Sequence, residues 1–548
     1  MKVSVGYVIA AFLERCGVKA AYGVISIHNM PILDALATRG AIRFVSARGE
    51  AGATSMADAC ARTTGTLGVC ITSTGTAAGN AAGGMVEALT AGTPLLHITG
   101  QIEAAYLDRD MAYIHEAPDQ LSMLKAVSKQ AWRIRTADTA LATFKQAVRC
   151  ALSAPGGPVS VEVPIDIQAA LIDLPDDLEP LAPLSAVPAA HDVARLADGL
   201  AQARRPLLWV GGGARGAGPA VARLIAMGFG VVSSTQGRGI VAETHPQSLG
   251  AYNVAPPVEA FYATCDALLV VGSRLRGNET LKYQLKLPQP LYRIDADPGA
   301  NARCYPNAQF VCGDATLSLN ALADQLEGRM KVDGAFAADL RRAHDKAVAA
   351  LRDGLGPYAV LVDAVQAAAG AQFNWVRDVT VSNSTWGNRE LRLPSPRAGV
   401  HALGGGIGLG LAMAIGAATG AAAYASGNQT LLLAGDGGFV LNLGELACAV
   451  QEGADFTVVL MNDQSYGVIK NIQDAQYGGR RVYAELHTPD YALLAQSLKF
   501  EHRRIKRLAD APAMLAELAR LPGPKMLEVD MLSVGAFKTA FAGPPVKG

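Results

Sequence analysis

Short apolar runs rich in Val, Ile and Leu alternate along the chain with longer stretches whose apolar residues recur at helical spacing. The first stretch, MKVSVGYVIAAFLERCGV, has the spacing of an amphipathic helix. Glu14 and Arg15 interrupt its apolar patch, which suits a packed helix rather than a signal peptide. Up to residue 175 the β-like runs are AIRFVSA, LGVCITST, PLLHITG and PVSVEVP. Strands alternating with helical patterns predict a parallel sheet covered by helices on both faces. A stretch rich in Pro, Leu and Ala at 176–191 reads as a linker. The grammar then repeats over 192–330 in RPLLWVGGG, GVVSST, ALLVVGS, PLYRIDAD and AQFVCGD. A charged helical connector is expected over 331–355. A third block, 356–548, carries β-like runs at DVTVSNS, QTLLLAGDG, DFTVVLMND and KMLEVDM. The expected fold class is α/β, with three doubly wound parallel-sheet domains.

Composition narrows the function class. Half of the 548 residues are apolar, which is ample for several cores. No run suggests a membrane span. The 48 basic and 48 acidic residues cancel, and no basic cluster points to nucleic acid. The eight cysteines are scattered without a C-x-x-C pair, which argues for reduced thiols and a cytoplasmic protein. Cys16, Cys60 and Cys448 sit in helical patterns and are expected to pack rather than react.

Chemistry concentrates where QTLLLAGDG ends in Gly435, Asp436, Gly437 and Gly438, and where the next apolar run ends in Asn462. Ligands gather at the carboxyl ends of parallel strands. Glycines there allow tight turns and close approach. One carboxylate beside one amide oxygen suits a hard cation such as Mg²⁺, which takes few protein ligands and completes its shell from phosphates and water. The segment opening at NDQSYG offers backbone N–H groups for phosphate oxygens. The pattern predicts a metal–diphosphate cradle.

With GDG followed by ND at this gap, the chain resembles the thiamine diphosphate-dependent enzymes of the acetolactate synthase, benzoylformate decarboxylase and oxalyl-CoA decarboxylase group. The resemblance covers nearly the whole chain, in the order pyrimidine-binding, middle and diphosphate-binding domain. It implies Mg²⁺ held by Asp436, Asn462 and the main-chain oxygen of Gln464, with Tyr466, Gly467 and Thr385 also at the cofactor. HALGGGIGLGLAMAIGAATG is similar to the family's wedge segment: Ile407 would bend the cofactor, and the Gly405 carbonyl would accept from its exocyclic amine. FVSARGEAGATSMADACARTTG resembles the segment carrying the catalytic acid, here Glu50, although Gly49 stands where a His is common. That acid would favour the tautomer in which the cofactor's exocyclic nitrogen is a base. Family members place Glu50's domain against a partner's diphosphate domain, so a homodimer at least, or a tetramer, is expected.

The same resemblance bears on the reaction. His115, in AYIHEAPDQ, is the best candidate proton handler facing a small carbonyl substrate. His28 and Asn29 lie in the loop that benzoylformate decarboxylase uses for the substrate carboxylate, with Ile27 replacing its serine. Ser73 stands where that enzyme has a catalytic His. Ile469 stands where pyruvate decarboxylases carry a Glu, so an aldehyde-former of the pyruvate type is disfavoured. Asn388, with Ser384 and Thr385, belongs to a loop that reaches cofactor and substrate by resemblance. The expected activity is acetolactate synthase-like carboligation or decarboxylation of a 2-oxo acid. The alternatives are an acyl-CoA decarboxylase and a non-catalytic cofactor-binding homologue. GGGARG in the middle block lacks a full dinucleotide fingerprint and a clear ribose-binding acid, so FAD stays open. The tail SVGAFKTAFAGPPVKG would close over the site or fray.

Overall fold

The computed structural model describes residues 1–540 and 543. Two six-stranded sheets flank a five-stranded one, and all the pairs within these three sheets are parallel. The first sheet contains β1 (Ala20–Gly23), β2 (Arg43–Ser46), β3 (Gly68–Thr72), β4 (Leu95–Gln101), β5 (Gln130–Arg133) and β6 (Pro158–Pro164). The middle sheet contains β7 (Pro206–Val210), β8 (Gly230–Ser233), β9 (Ala267–Val271), β10 (Leu291–Asp295) and β11 (Gln309–Cys312). The third contains β12 (Phe373–Arg377), β13 (Gly399–His401), β14 (Gln429–Gly435), β15 (Phe456–Asn462), β16 (Glu501–Ile505) and β17 (Pro524–Asp530).

The first sheet is ordered β2-β1-β3-β4-β6-β5 and the third β13-β12-β14-β15-β17-β16. Counted from its own first strand, each sheet has the same order. The two outer sheets therefore share one topology. Strand order reverses beside β1 in one sheet and beside β12 in the other, and such switch points open crevices at carboxyl ends.

Helix α1 (Glu50–Thr64) of the first domain lies against helix α2 (Gly410–Ala423) of the third. Small residues let them meet closely. A side chain at Gly416 would stand 2.1 Å from the Met56 carbonyl oxygen, and one at Gly420 2.8 Å from Cys60 Sγ. Tyr22, Met56 and Cys60 share one continuous core with Leu411 and Ile415, so the two outer domains are welded while the middle sheet keeps its own core. Cys60 and Cys448 are buried, and burial pushes their thiols up to about 11 and about 12 respectively. Both are packing residues. Charge also crosses between the outer domains: Arg62 pairs with Asp58 and Glu87 and donates to the His401 carbonyl at 2.7 Å.

One expected strand is displaced. DVTVSNS alternates like a strand, yet the ladder is formed by Phe373–Arg377 immediately upstream. The Val-Thr-Val-Ser stretch is the loop beyond the strand's carboxyl end, followed by a π-helical turn at Asn383–Gly387. Buried Asn374 and Arg377 break the apolar pattern of the true strand. The connector forms the helix Phe336–Leu355. From the C-terminal tail, Phe537 stacks on Tyr358 with ring centroids 4.3 Å apart. Residues 541–542 and 544–548 of the expected closing tail lie outside the described residues.

Candidate active site

Gly435 pairs with Met461 across β14 and β15, so Asp436 and Asn462 leave the sheet side by side. A cavity of about 360 Å³ opens at this edge. Gly435, Asp436, Gly437 and Gly438 line its floor, and Tyr466, Gly467 and Ile469 line one wall. Gly405 and Ile407 reach it from the glycine-rich segment before α2. Gly437 is obligatory on packing grounds, because a Cβ there would stand 2.8 Å from the Tyr466 ring.

Asp436 is fully buried, and its Oδ2 has no hydrogen-bond partner among the described residues. Burial first, and then the adjacent Asp463 carboxyl, push Asp436 up to about 7. A bound cation would relieve both costs. Asn462 donates through Nδ2 to Glu528 Oε1 at 2.7 Å, which fixes its amide. Its Oδ1 accepts the Gln464 N–H at 3.3 Å. Burial works against ionisation of Glu528, but His502, Arg504 and Asn462 outweigh it and hold the carboxyl down to about 2. Gln464 adopts a left-handed φ of 53°, and its carbonyl accepts Leu486 N–H at 2.9 Å, leaving one lone pair. Among the described residues no three His, Cys, Asp or Glu side chains converge on one point. The oxygen set therefore fits a metal that takes few protein ligands and shares the rest with phosphate.

Asp378, which the sequence reading passed over, holds the segment that carries Ile407. It leaves the end of β12 and accepts the N–H groups of Gly408 at 3.0 Å and Gly410 at 3.3 Å. Burial pushes it up to about 6 against those bonds. Thr385 and Asn388 do not line the cavity. The Thr385 hydroxyl donates back to the Val381 and Ser382 carbonyls, and Asn388 closes the π-helical turn.

A second group of residues stands at the carboxyl edge of the first sheet. Glu50 opens α1, and its Oε2 accepts Asn80 Nδ2 at 3.0 Å. Glu445 Oε1 accepts the backbone N–H groups of Arg48 at 3.1 Å and Gly49 at 3.0 Å, which fixes the turn before Glu50. Glu50 is not among the residues lining the 360 Å³ cavity of its own chain. Beyond β1, Asn29 spends its amide on its own turn, accepting Ser26 N–H and donating to the Val24 carbonyl. His28 is buried and meets His115 edge to face, with ring centroids 5.2 Å apart. Burial, and then His115, push His28 below its ordinary value against the opposing charge of Glu103. Ser73 is buried at the end of β3, its carbonyl accepting Thr99 Oγ1 at 2.6 Å.

A larger cavity of about 570 Å³ lies where the three domains meet. Arg215, Arg274 and Arg276 enter it together with Asp295, Asp297 and Asp314. Burial pushes Arg215 down to about 9. Asp295 ends β10, two strands from the glycine-rich turn that follows β7.

Comparison with known proteins agrees with this layout. Family models for the N-terminal, central and C-terminal domains of thiamine pyrophosphate enzymes match residues 3–123, 193–322 and 380–529. A probable 2-ketoarginine decarboxylase of Pseudomonas aeruginosa is 30% identical over 90% of this chain and 88% of its own. The large subunit of acetolactate synthase isozyme 1 of Escherichia coli is 26% identical over 95% and 92% respectively. Chloroplastic acetolactate synthase 2 of Zea mays is 26% identical over 95% and 84%.

Proposed function

The chain belongs to the thiamine diphosphate-dependent enzymes, and we propose that it decarboxylates a 2-oxo acid with thiamine diphosphate and Mg²⁺. The observation that carries this reading is the buried Asp436 carboxylate, whose Oδ2 has no hydrogen-bond partner among the described residues, on the glycine floor of a 360 Å³ cavity and at the strand end next to that of Asn462. Asp436, Asn462 and the Gln464 carbonyl would hold the metal, and the Gly435–Gly438 turn with Tyr466 and Gly467 would receive the diphosphate. Bound there, the cofactor supplies the nucleophilic carbon and the electron sink.

The chain's own residues do the rest. Ile407 props the cofactor's rings, and the Gly405 carbonyl accepts from its amine. Glu50 offers a carboxyl to the pyrimidine ring. Because Glu50 lies off its own chain's cavity, it serves the cavity of a second copy, and the working unit is at least a homodimer. His28 and His115 hold and deliver a proton at the reacting carbon, which gives an aldehyde product. Carboligation is the second reading, favoured by Ile469: an apolar side chain on the cavity wall leaves one fewer proton donor there. The 570 Å³ cavity, with arginines facing aspartates, suits an adenine nucleotide such as that of FAD or coenzyme A.

Titration calorimetry with thiamine diphosphate, with and without Mg²⁺, tests the cradle; no Mg²⁺-dependent binding refutes it. Product analysis after acid quench, with short and long 2-oxo acids and an oxalyl thioester, separates aldehyde from acyloin. Turnover of the thioester alone would replace the 2-oxo acid by an acyl-CoA.

A further inference from the structure

Between β4 and the helix Gln120–Val127 the chain runs through residues 102–119 without regular structure. Asp108, Asp110, Ala112 and His115 in this loop hold left-handed backbone, with φ of 62°, 50°, 55° and 67°. Each such position costs about 1 kcal/mol or more for a non-glycine residue and persists only where surrounding contacts hold it. The loop is seated on the carboxyl edge of the first sheet. A side chain on Gly75 would stand 2.3 Å from the His115 carbonyl oxygen, and one on Gly100 2.2 Å from that of His28.

The contacts that hold the loop make a receptor with a free acceptor. The Tyr106 and Tyr113 rings stack, 4.9 Å between centroids and 20° between planes. The Tyr113 hydroxyl donates to Glu103 Oε1 at 3.2 Å. Glu103 Oε2 is buried and has no hydrogen-bond partner among the described residues. It is a carboxylate oxygen whose companion Oε1 is tied to one ring of the tyrosine pair, on the loop that also carries His115. A guanidinium suits this pair of features, because it can donate to the bare oxygen and stack on an outer face of the tyrosine pair. A neutral or anionic tail would leave Oε2 desolvated without a donor.

We propose that Glu103 and the stacked Tyr106–Tyr113 pair bind the far end of a 2-oxo acid whose side chain carries a cation, with a guanidinium the best fit, while its carbonyl end lies toward His28 and His115. This inference rests on the 2-oxo acid reading above.

The test uses the full chain loaded with thiamine diphosphate and Mg²⁺ and measures CO₂ release from three substrates. These are 2-oxo-5-guanidinopentanoate, its uncharged isostere 2-oxo-5-ureidopentanoate, and 2-oxoadipate. A charge-assisted contact predicts a kcat/KM ratio of about 10 to 100 for guanidino over ureido, with the dianion slowest. Glu103→Gln should bring that ratio close to one. Tyr106→Leu should lower it part of the way, and the wild-type ratio stands even if a variant fails to fold. Equal wild-type rates on the guanidino and ureido substrates, or a ratio unmoved by Glu103→Gln, overturns the inference and leaves the 2-oxo acid reading intact. No CO₂ from any of the three, by protein that binds the cofactor, overturns the inference, and no CO₂ from pyruvate and longer unsubstituted 2-oxo acids in the same assay overturns the 2-oxo acid reading as well.

Discussion

Replacing Gly416 by alanine tests the weld between the outer domains. The added Cβ would lie 2.1 Å from Met56 O and 2.5 Å from Met56 Cα. Both are main-chain atoms, so no side-chain rotation relieves the clash, and α1 and α2 must part by roughly 1 Å. Three effects compete. Alanine gains about 1 kcal/mol over glycine inside a helix. Overpacking a close-packed contact costs about 1–3 kcal/mol. The Tyr22 hydroxyl, which donates to the Gly416 carbonyl at 3.2 Å, loses a buried bond worth about 1 kcal/mol. The balance is a loss of about 1–3 kcal/mol, or a melting point lower by roughly 1–4 °C for a unit of several hundred residues. Gly420→Ala is the comparison, since its one close contact would be Cys60 Sγ at 2.8 Å, with Cys60 Cβ and Cα at ordinary contact distances of 3.4 and 3.5 Å, so its cost stays below that of Gly416→Ala. Because α1 begins with Glu50 and α2 follows Ile407, Gly416→Ala should also weaken thiamine diphosphate binding. Calorimetric melting and cofactor titration read both effects. A variant that melts within 1 °C of wild type and binds the cofactor equally would refute the close-contact argument.

The remaining predictions concern single charges. Glu50→Gln should bind thiamine diphosphate with Mg²⁺ but lose at least about 100-fold in turnover; an undiminished steady-state rate would remove Glu50 from the chemistry. Asp436→Ala should abolish Mg²⁺-dependent cofactor binding by calorimetry. It also removes a buried carboxylate oxygen without a partner, so the cofactor-free variant should melt no lower than wild type; a large drop would mean that Asp436 is structural. His97 is fully buried, and burial pushes it down to about 4 from 6.5. Above pH 6.5 neither folded nor unfolded protein protonates it. Between 6.5 and 4 only the unfolded chain takes the proton, so stability is lost as pH falls, by about 3 kcal/mol in all. Urea titrations across that window should show His97→Gln with a shallower pH slope; an identical slope would rule out this group as the cause.

Much of the fold was readable because apolar runs mark central strands. β3, β4, β9, β14 and β15 are almost wholly buried, and each carries an apolar run, although β4 also holds His97 and Thr99. Two of the missed strands carry polar residues in their ladders, whereas buried, apolar β1 (AAYG) and the short β5 and β13 offer runs too brief to stand out. β12 includes buried Asn374 and Arg377, so its run is broken, while the neighbouring loop alternates by accident. β16, EHRRI, lies at a sheet edge with exposed positions, and no apolar signal announces it. The acids of the 570 Å³ cavity could not be matched to the glycine-rich turn for a different reason. The glycine-rich turn follows β7, but Asp295 comes from β10, two places away in the sheet, and no local spacing encodes that proximity.

The site residues that sequence reasoning found and those it missed divide by how they are held. Glu50, at the first position of α1, and Gly405 and Ile407, on a loop, adjoin glycines, whose backbones lack side chains to brace them. Each loop is gripped by a carboxylate from a distant element. Glu445 takes the N–H groups of Arg48 and Gly49 ahead of Glu50. Glu87 takes those of Leu403 and Gly404, at 2.6 and 2.7 Å, ahead of Gly405. Asp378 takes those of Gly408 and Gly410 behind Ile407. Charge-assisted bonds to backbone N–H are worth about 1.5–3 kcal/mol each, enough to fix a loop that could not hold its own conformation. Glu87 and Glu445 lie in helices, and Asp378 sits just beyond a strand end, so along the chain each looks like an ordinary surface acid. Only burial with backbone partners, two of the three across the domain junction, reveals them as the supports that hold the candidate catalytic loops in place.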